Sequence, residues 1–152
     1  MLLISADAFE PAHALSEFKE RVAGAGAIVT FSGAVRADAN NQSVHQLFLQ
    51  DYPPLTAAGV SEAMARAEKH WPLLGLSVRH RIGAINVGET IVFVAAASRH
   101  RRAAFEAADF LMDFLKTEAM FWKKEISDQG EAWIEPRNDD YADRERWNHI
   151  AH

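Results

Sequence analysis

The residues best suited to chemistry fall in one stretch, 99–125 (RHRRAAFEAADFLMDFLKTEAMFWKKE), which opens on Arg99-His100-Arg101-Arg102 and ends with lysines around Phe121-Trp122. Arginine offers a planar fork for phosphate or carboxylate, and a strand-to-helix junction adds free backbone N–H groups and the positive end of a helix dipole. The cluster therefore reads either as an anion site or as a solvated loop paired with acidic neighbours. It is not a P-loop, because no Gly-x-x-x-x-Gly-Lys precedes it. Lys116 and Lys123 lie among apolar and aromatic residues. Desolvation disfavours an ammonium, so a lysine held there can act as base, nucleophile or electrostatic clamp; the ordinary alternative is a solvated helix end. Arg36 follows an apolar run and reads as a ligand contact or a surface ion-pair partner. His80, between Arg79 and Arg81, reads as a structural histidine, and no metal site is expected.

Hydrophobic spacing supplies the elements that must position these groups. A helix is expected over 11–23, with Leu15, Phe18 and Val22 on one face and Gly24 and Gly26 ending it. The run 27–33 (AIVTFSG) reads as a strand that leaves Arg36 at its end, followed by a polar loop over 37–43 and a strand over 44–52. Residues 56–71 form a second amphipathic pattern, with Thr56 as its cap. A half-buried strand is expected from Leu76 to Ile82, with Leu76, Val78, His80 and Ile82 alternating against Ser77, Arg79 and Arg81, and then a loop over 83–88.

The apolar segment 89–97 reads as a central strand feeding the basic cluster. In the third helix Phe105, Ala108, Met112 and Leu115 make a stripe, broadened by Leu111 and Phe114. After Glu118 the period becomes two, placing Lys123 and Lys124 on opposite faces of a strand that turns at Asp128-Gln129-Gly130 into a hairpin partner over 131–135. The polar end, 138–152, surrounds a lone Trp147 and reads as a short helix or a tail that orders on a partner. Helices and strands alternate too irregularly for a doubly wound fold, so the class is α+β.

Composition narrows the function. The 152 residues fit a single domain, 1–152, and the net charge of −5 argues against broad nucleic-acid binding. No apolar run approaches the ~20 residues of a membrane span, and MLLISADAFE lacks a signal peptide's basic start, so a cytoplasmic protein is expected. Cysteine is absent. Disulfides, thiolate metal sites and a persulfide on this chain are therefore excluded, and any sulfur chemistry must receive its sulfur from another molecule.

Spacing adds a constraint. His100 and Lys116, sixteen positions apart, lie about 24 Å from each other along a helix axis. One small substrate does not span that length. Either the two ends serve different ligands, or a second subunit brings its basic cluster to this subunit's lysines in a symmetric dimer.

The runs TFSGAVR (30–36), HRIGAINVGE (80–89), FVAAASRHR (93–101), AFEAADFLMDFLK (104–116) and FWKKE (121–125) resemble, in order and spacing, the large catalytic subunit family of molybdopterin synthase. The resemblance implies an α/β hammerhead fold with an additional small antiparallel β-sheet subdomain. It implies a homodimer at the core of a heterotetramer, with a small ubiquitin-like sulfur-carrier subunit at each end that brings a thiocarboxylate on its C-terminal Gly-Gly. The implied reaction is sulfur transfer to cyclic pyranopterin monophosphate, forming the dithiolene of molybdopterin, without a resident cofactor. Lys116 and Lys123 match the family's catalytic lysines. Arg36 matches the family's substrate-anchoring arginine, His100 and Arg101 match the pair that helps hold the pterin phosphate, and Phe31, Met112 and Arg137 match supporting positions of the pocket. The chain departs from the family at Ala34, where lysine is common, and at Met120, where proline is common. Two competing readings of the same residues are a non-catalytic dimeric phosphate-binding scaffold and a lysine-dependent acyl or phosphoester enzyme acting on another anion.

Overall fold

The apolar run at the centre of the chain forms β7 (Thr90–Ser98), buried continuously from Val92 to Ser98. Both of its edges are paired, antiparallel with β2 (Ala27–Ala34) and with β5 (Leu73–Arg81), and β1 (Leu2–Ser5) adds parallel to β5. The sheet order is β1-β5-β7-β2 in a computed structural model that describes residues 1–39 and 42–150.

Alternation along β7 assigns each face its own core. Val92, Val94 and Ala96 pack with Val60, Met64 and Ala67 of α2 (Leu55–His70) and with Ala107, Phe110, Leu111 and Phe114 of α3 (Arg101–Thr117). Phe93, Ala95 and Ala97 pack on the opposite face with Ala14 and Phe18 of α1 (Pro11–Arg21) and with Val22. A second sheet joins β3 (Asp38–Ala39), β4 (Gln42–Gln50), β8 (Trp122–Ser127) and β9 (Gly130–Ile134) in that order, while β6 (Gly83–Asn86) also pairs with β4. Val35, Val44, Leu47, Leu49 and Ile85 form its small core. The architecture is α+β, a helix-covered mixed sheet with a smaller antiparallel sheet added, and α4 (Asn138–Glu145) lies along α3.

Four expectations need correction. Residues 76–81 are all buried rather than alternating, because the arginine face finds partners too: Arg79 pairs with Glu17 of α1, and Arg81 donates to the Ala6 carbonyl and lies 3.4 Å from Glu89. Residues 83–86 are β6 rather than loop, since the free side of β4 accepts them before Gly88 turns the chain at φ +85°. Thr56 sits inside α2 and does not cap it; its hydroxyl accepts the Tyr52 N–H at 2.7 Å and donates to the Met120 carbonyl at 2.7 Å. Phe105 is 58% exposed, because the buried face of α3 runs through Ala104, Ala107, Ala108, Leu111 and Leu115, and the next position along the helix turns about 100° away.

The polar end does not wait for a partner. After α4, Trp147 and Ile150 bury themselves in the main core, and the expected polar loop over 37–43 includes Asn40 and Asn41, which lie outside the described residues.

Candidate active site

Where β7 runs into α3, the chain turns against the glycine that precedes β2. A Cβ on Gly26 would stand 2.4 Å from the Arg99 carbonyl oxygen, so only glycine allows this approach. The Gly26 N–H donates to the Ser98 carbonyl at 3.1 Å, and the Ser98 hydroxyl donates to the Pro72 carbonyl at 2.9 Å. His100 is the extended N-cap residue of α3, and its side chain makes no cap bond. Arg99, His100 and Arg102 border an open cavity of about 500 Å³ with Trp71, Leu74 and Glu106, while Arg101 begins the helix and is exposed. The Trp71 Nε1–H donates to Glu106 at 2.9 Å, which fixes one wall.

The other end of α3 presents Lys116, exposed in its last turn. Beyond it the Phe121 N–H donates to the Ala119 carbonyl at 2.8 Å, and the Thr56 bond holds Met120. Phe121 is clamped by His80, and β8 then carries Lys123 between Leu49 of β4 and Ile134 of β9. Lys123 is half-buried and lines a small cleft with Ala34, Arg36, Leu47, Ile91 and Glu125. Burial, the Lys116 charge and then Arg36 push the Lys123 ammonium below its usual range, against the opposing pull of Glu125 and Asp140. Arg36, Lys116 and Lys123 therefore act as one cationic group around a partly desolvated lysine.

Arg137 joins this end through the start of α4. Its backbone N–H donates to Asp140 at 2.8 Å and its guanidinium donates to the same carboxylate at 3.4 Å, which fixes the first turn of α4. Burial alone would raise the Asp140 pKa, but hydrogen bonds from Arg137 and the charge of Lys116 hold it below the ordinary carboxylate value. α4 is strapped to α3: Arg144 pairs with Glu118, Arg146 with Asp113 at 2.8 Å, and the Trp147 Nε1–H donates to Asp113 at 2.6 Å.

The structure thus places Arg36, Lys116, Lys123 and Arg137 around one end of α3, and His100 and Arg101 at the other. Phe31 lies on β2 opposite Val94 and is 43% exposed; Met112 is half-buried one turn before Lys116. Sequence reasoning missed Asp140 and, reading Thr56 as a cap, missed its bond to Met120. Asp140 meets the lysine end only through the packing of α4 on α3, and the Thr56 bond joins residues 64 positions apart, so neither leaves a local trace. Among the described residues no cluster of three His, Asp or Glu side chains is placed to hold a metal ion.

The sequence of residues 4–118 matches the family model described as MoaE protein. The chain belongs to the MoaE family. The molybdopterin synthase catalytic subunit of Pseudomonas aeruginosa is 45% identical over 140 residues, covering 92% of this chain and 93% of its own. The subunit of the same name from Escherichia coli is 45% identical over 122 residues, covering 80% of this chain and 81% of its own. Among solved structures, molybdopterin cofactor biosynthesis protein E from Burkholderia multivorans aligns with a TM-score of 0.81 and 33% identity over 99% of this chain and 98% of that one. The MoaE match spans Phe31, Arg36, His100, Arg101, Met112 and Lys116, and ends before Lys123 and Arg137.

Proposed function

We propose that this chain is the catalytic subunit of a molybdopterin synthase, transferring sulfur from the C-terminal thiocarboxylate of a small ubiquitin-like carrier to cyclic pyranopterin monophosphate. The observation that carries the reading is the half-buried Lys123, held beside Lys116 and Arg36 in a cleft of a MoaE-family chain. A carrier must supply the sulfur, because this chain has no cysteine.

The residues divide the work by charge. Lys116, exposed in the last turn of α3, meets the carrier's tail and either stabilises the anion that develops at its acyl carbon or attacks that carbon. Lys123, whose ammonium is easier to deprotonate than an ordinary lysine's, moves protons on the pterin side. Arg36, Arg137, His100 and Arg101 hold the phosphate, the last two from the neighbouring subunit of a homodimer, and Phe31 and Met112 support the pterin pocket. The carriers complete a heterotetramer. The setting is the cytoplasm, and among the described residues no helix is long and apolar enough to cross a membrane.

A phosphate-binding scaffold needs cations but has no use for a desolvated lysine, so the two readings separate experimentally. With thiocarboxylated carrier and cyclic pyranopterin monophosphate, Lys116→Ala and Lys123→Ala should each lower molybdopterin formation about 100-fold or more. Near-normal formation by both variants would favour the scaffold, and turnover without any thiocarboxylated protein would favour an enzyme acting on another anion.

A further inference from the structure

Lys116 and Lys123 stand on different parts of the fold. Lys116 lies in the last turn of α3, which packs on the main sheet, whereas Lys123 lies on β8 of the second sheet. Seven positions separate them, and a chain of that length reaches anything up to about 24 Å. The connection alone therefore does not set the distance between the two ammonium groups. Three anchors hold the segment that joins them. The Glu118 and Ala119 N–H groups donate to the Phe114 carbonyl at 2.9 and 3.0 Å, Thr56 binds the Met120 carbonyl, and His80 lies against the Phe121 ring.

The third anchor is nearest Lys123. Phe121 directly precedes β8, and residues two apart on an extended chain share a face, so Phe121 and Lys123 stand on the same side. Phe121 also packs against both the main core and the small core of the second sheet, which makes it a joint between them. His80 comes from β5 of the main sheet, on the face that carries Leu76 and Val78. Its ring is stacked on Phe121 at 3.9 Å between centroids, and its Nδ1–H donates to the Arg81 carbonyl at 2.8 Å. The stack fixes where the Phe121 ring lies, and the backbone bond fixes the plane of the imidazole. Burial, aided by the Lys123 charge and opposed by the Arg81 bond, keeps this imidazole uncharged at neutral pH. It therefore adds no further cation beside Lys116, Lys123 and Arg36.

We propose that His80 is a positioning residue for the lysine pair: by stacking on Phe121 it ties the start of β8 to the main sheet and sets the depth of Lys123 and its distance from Lys116. The two largest influences that lower the Lys123 ammonium pKa, burial and the Lys116 charge, both depend on where β8 begins. Without the stack the start of β8 moves toward solvent and away from α3, and Lys123 returns toward an ordinary, fully protonated ammonium. Displacing a catalytic group by about 1 Å costs on the order of 100-fold in rate. The role rests on the proposed function only in that Lys123 is read as the group that moves protons on the substrate.

Full-length His80→Ala, His80→Leu, His80→Phe and Val22→Ala proteins test it, by NMR titration of labelled lysine side chains and by molybdopterin formation with thiocarboxylated carrier. His80→Leu fills the space without a flat ring and serves where His80→Ala does not fold. Val22→Ala removes buried volume from the core on the opposite face of the main sheet, so it reports a loss of stability alone. In His80→Ala and His80→Leu, kcat should fall about 10-fold or more with little change in KM, and the Lys123 pKa should rise toward 10.5. His80→Phe should recover most of both, and Val22→Ala, compared well below its melting temperature, should change neither. An unmoved Lys123 pKa or an unchanged kcat in His80→Leu, an equal effect of Val22→Ala, or no recovery in His80→Phe would overturn the role. The titration needs no turnover. A Lys123 pKa that moves as expected in a protein that makes no molybdopterin rejects the function alone, and turnover with an unmoved Lys123 rejects the positioning alone.

Discussion

The imidazole of His80 lies flat on the ring of Phe121, with 3.9 Å between centroids and 12° between planes. Its Nδ1–H donates to the Arg81 carbonyl at 2.8 Å, so the ring is fixed from two sides and holds Phe121, two residues ahead of Lys123. Burial, opposed by the Arg81 bond and reinforced by the Lys123 charge, lowers the His80 pKa to about 4. An unfolded chain takes up this proton near pH 6.5. Between about pH 6.5 and 4 the unfolded state binds a proton that the folded state refuses, so stability should fall as the pH drops through that window, by up to about 3 kcal/mol. Urea unfolding at pH 7, 5.5 and 4.5 should show this slope, and His80→Phe should remove most of it.

Thr56 governs the approach to the same strand. Its hydroxyl joins the first turn of α2 to the Met120 carbonyl, three residues before Lys123. Thr56→Val removes both the donor and the acceptor of this link, leaving the Met120 carbonyl and the Tyr52 N–H unpaired. A loss of about 1–3 kcal/mol is expected, together with a fall in kcat from a loosened Lys123. Thr56→Ser should recover most of both, measured by thermal unfolding and by molybdopterin formation.

The ionisation of Lys123 can be read directly by NMR of labelled lysine side chains. Its pKa should lie below the ordinary value of about 10.5. Lys116→Ala removes a like charge and should raise it, whereas Asp140→Asn removes an opposing carboxylate and should lower it further. Movement of both variants in the same direction would contradict the arrangement of charges at this end of α3.

Trp147 tests the contribution of the last segment. It is 8% exposed, packs edge-on against Trp71 and Phe110, and donates to Asp113. Trp147→Ala should cost about 3–5 kcal/mol and free α4, with Arg137 at its start. Asn148→Ala, at an exposed neighbour, should change stability by less than about 0.5 kcal/mol.

The local pattern made α1, α2, α3, β7 and the β8–β9 hairpin legible, since the helices carry a regular apolar stripe, β7 is an unbroken apolar run buried on both faces, and the hairpin alternates around a turn signal. It failed where tertiary contacts override the local pattern. The buried arginines of β5 are polar in sequence but matched by distant partners, Arg79 by Glu17 of α1 and Arg81 by Ala6 and Glu89, and β6 is too short to signal a strand without β4 beside it. The basic cluster and the two lysines stood out by charge within apolar surroundings. Asp140 did not, because its carboxylate reaches the lysine end through the packing of α4 on α3, which sequence spacing does not encode.

The most direct test concerns the claim that one site draws Lys116 from one subunit and His100 from the other. His100→Ala and Lys116→Ala proteins, each inactive alone, are mixed under conditions that exchange subunits and assayed with thiocarboxylated carrier. Half of the resulting dimers are mixed and each carries one intact site, so activity should recover to about a quarter of the unsubstituted level. Subunit exchange verified by mass with no recovery of activity would show that His100 and Lys116 do not meet across the dimer.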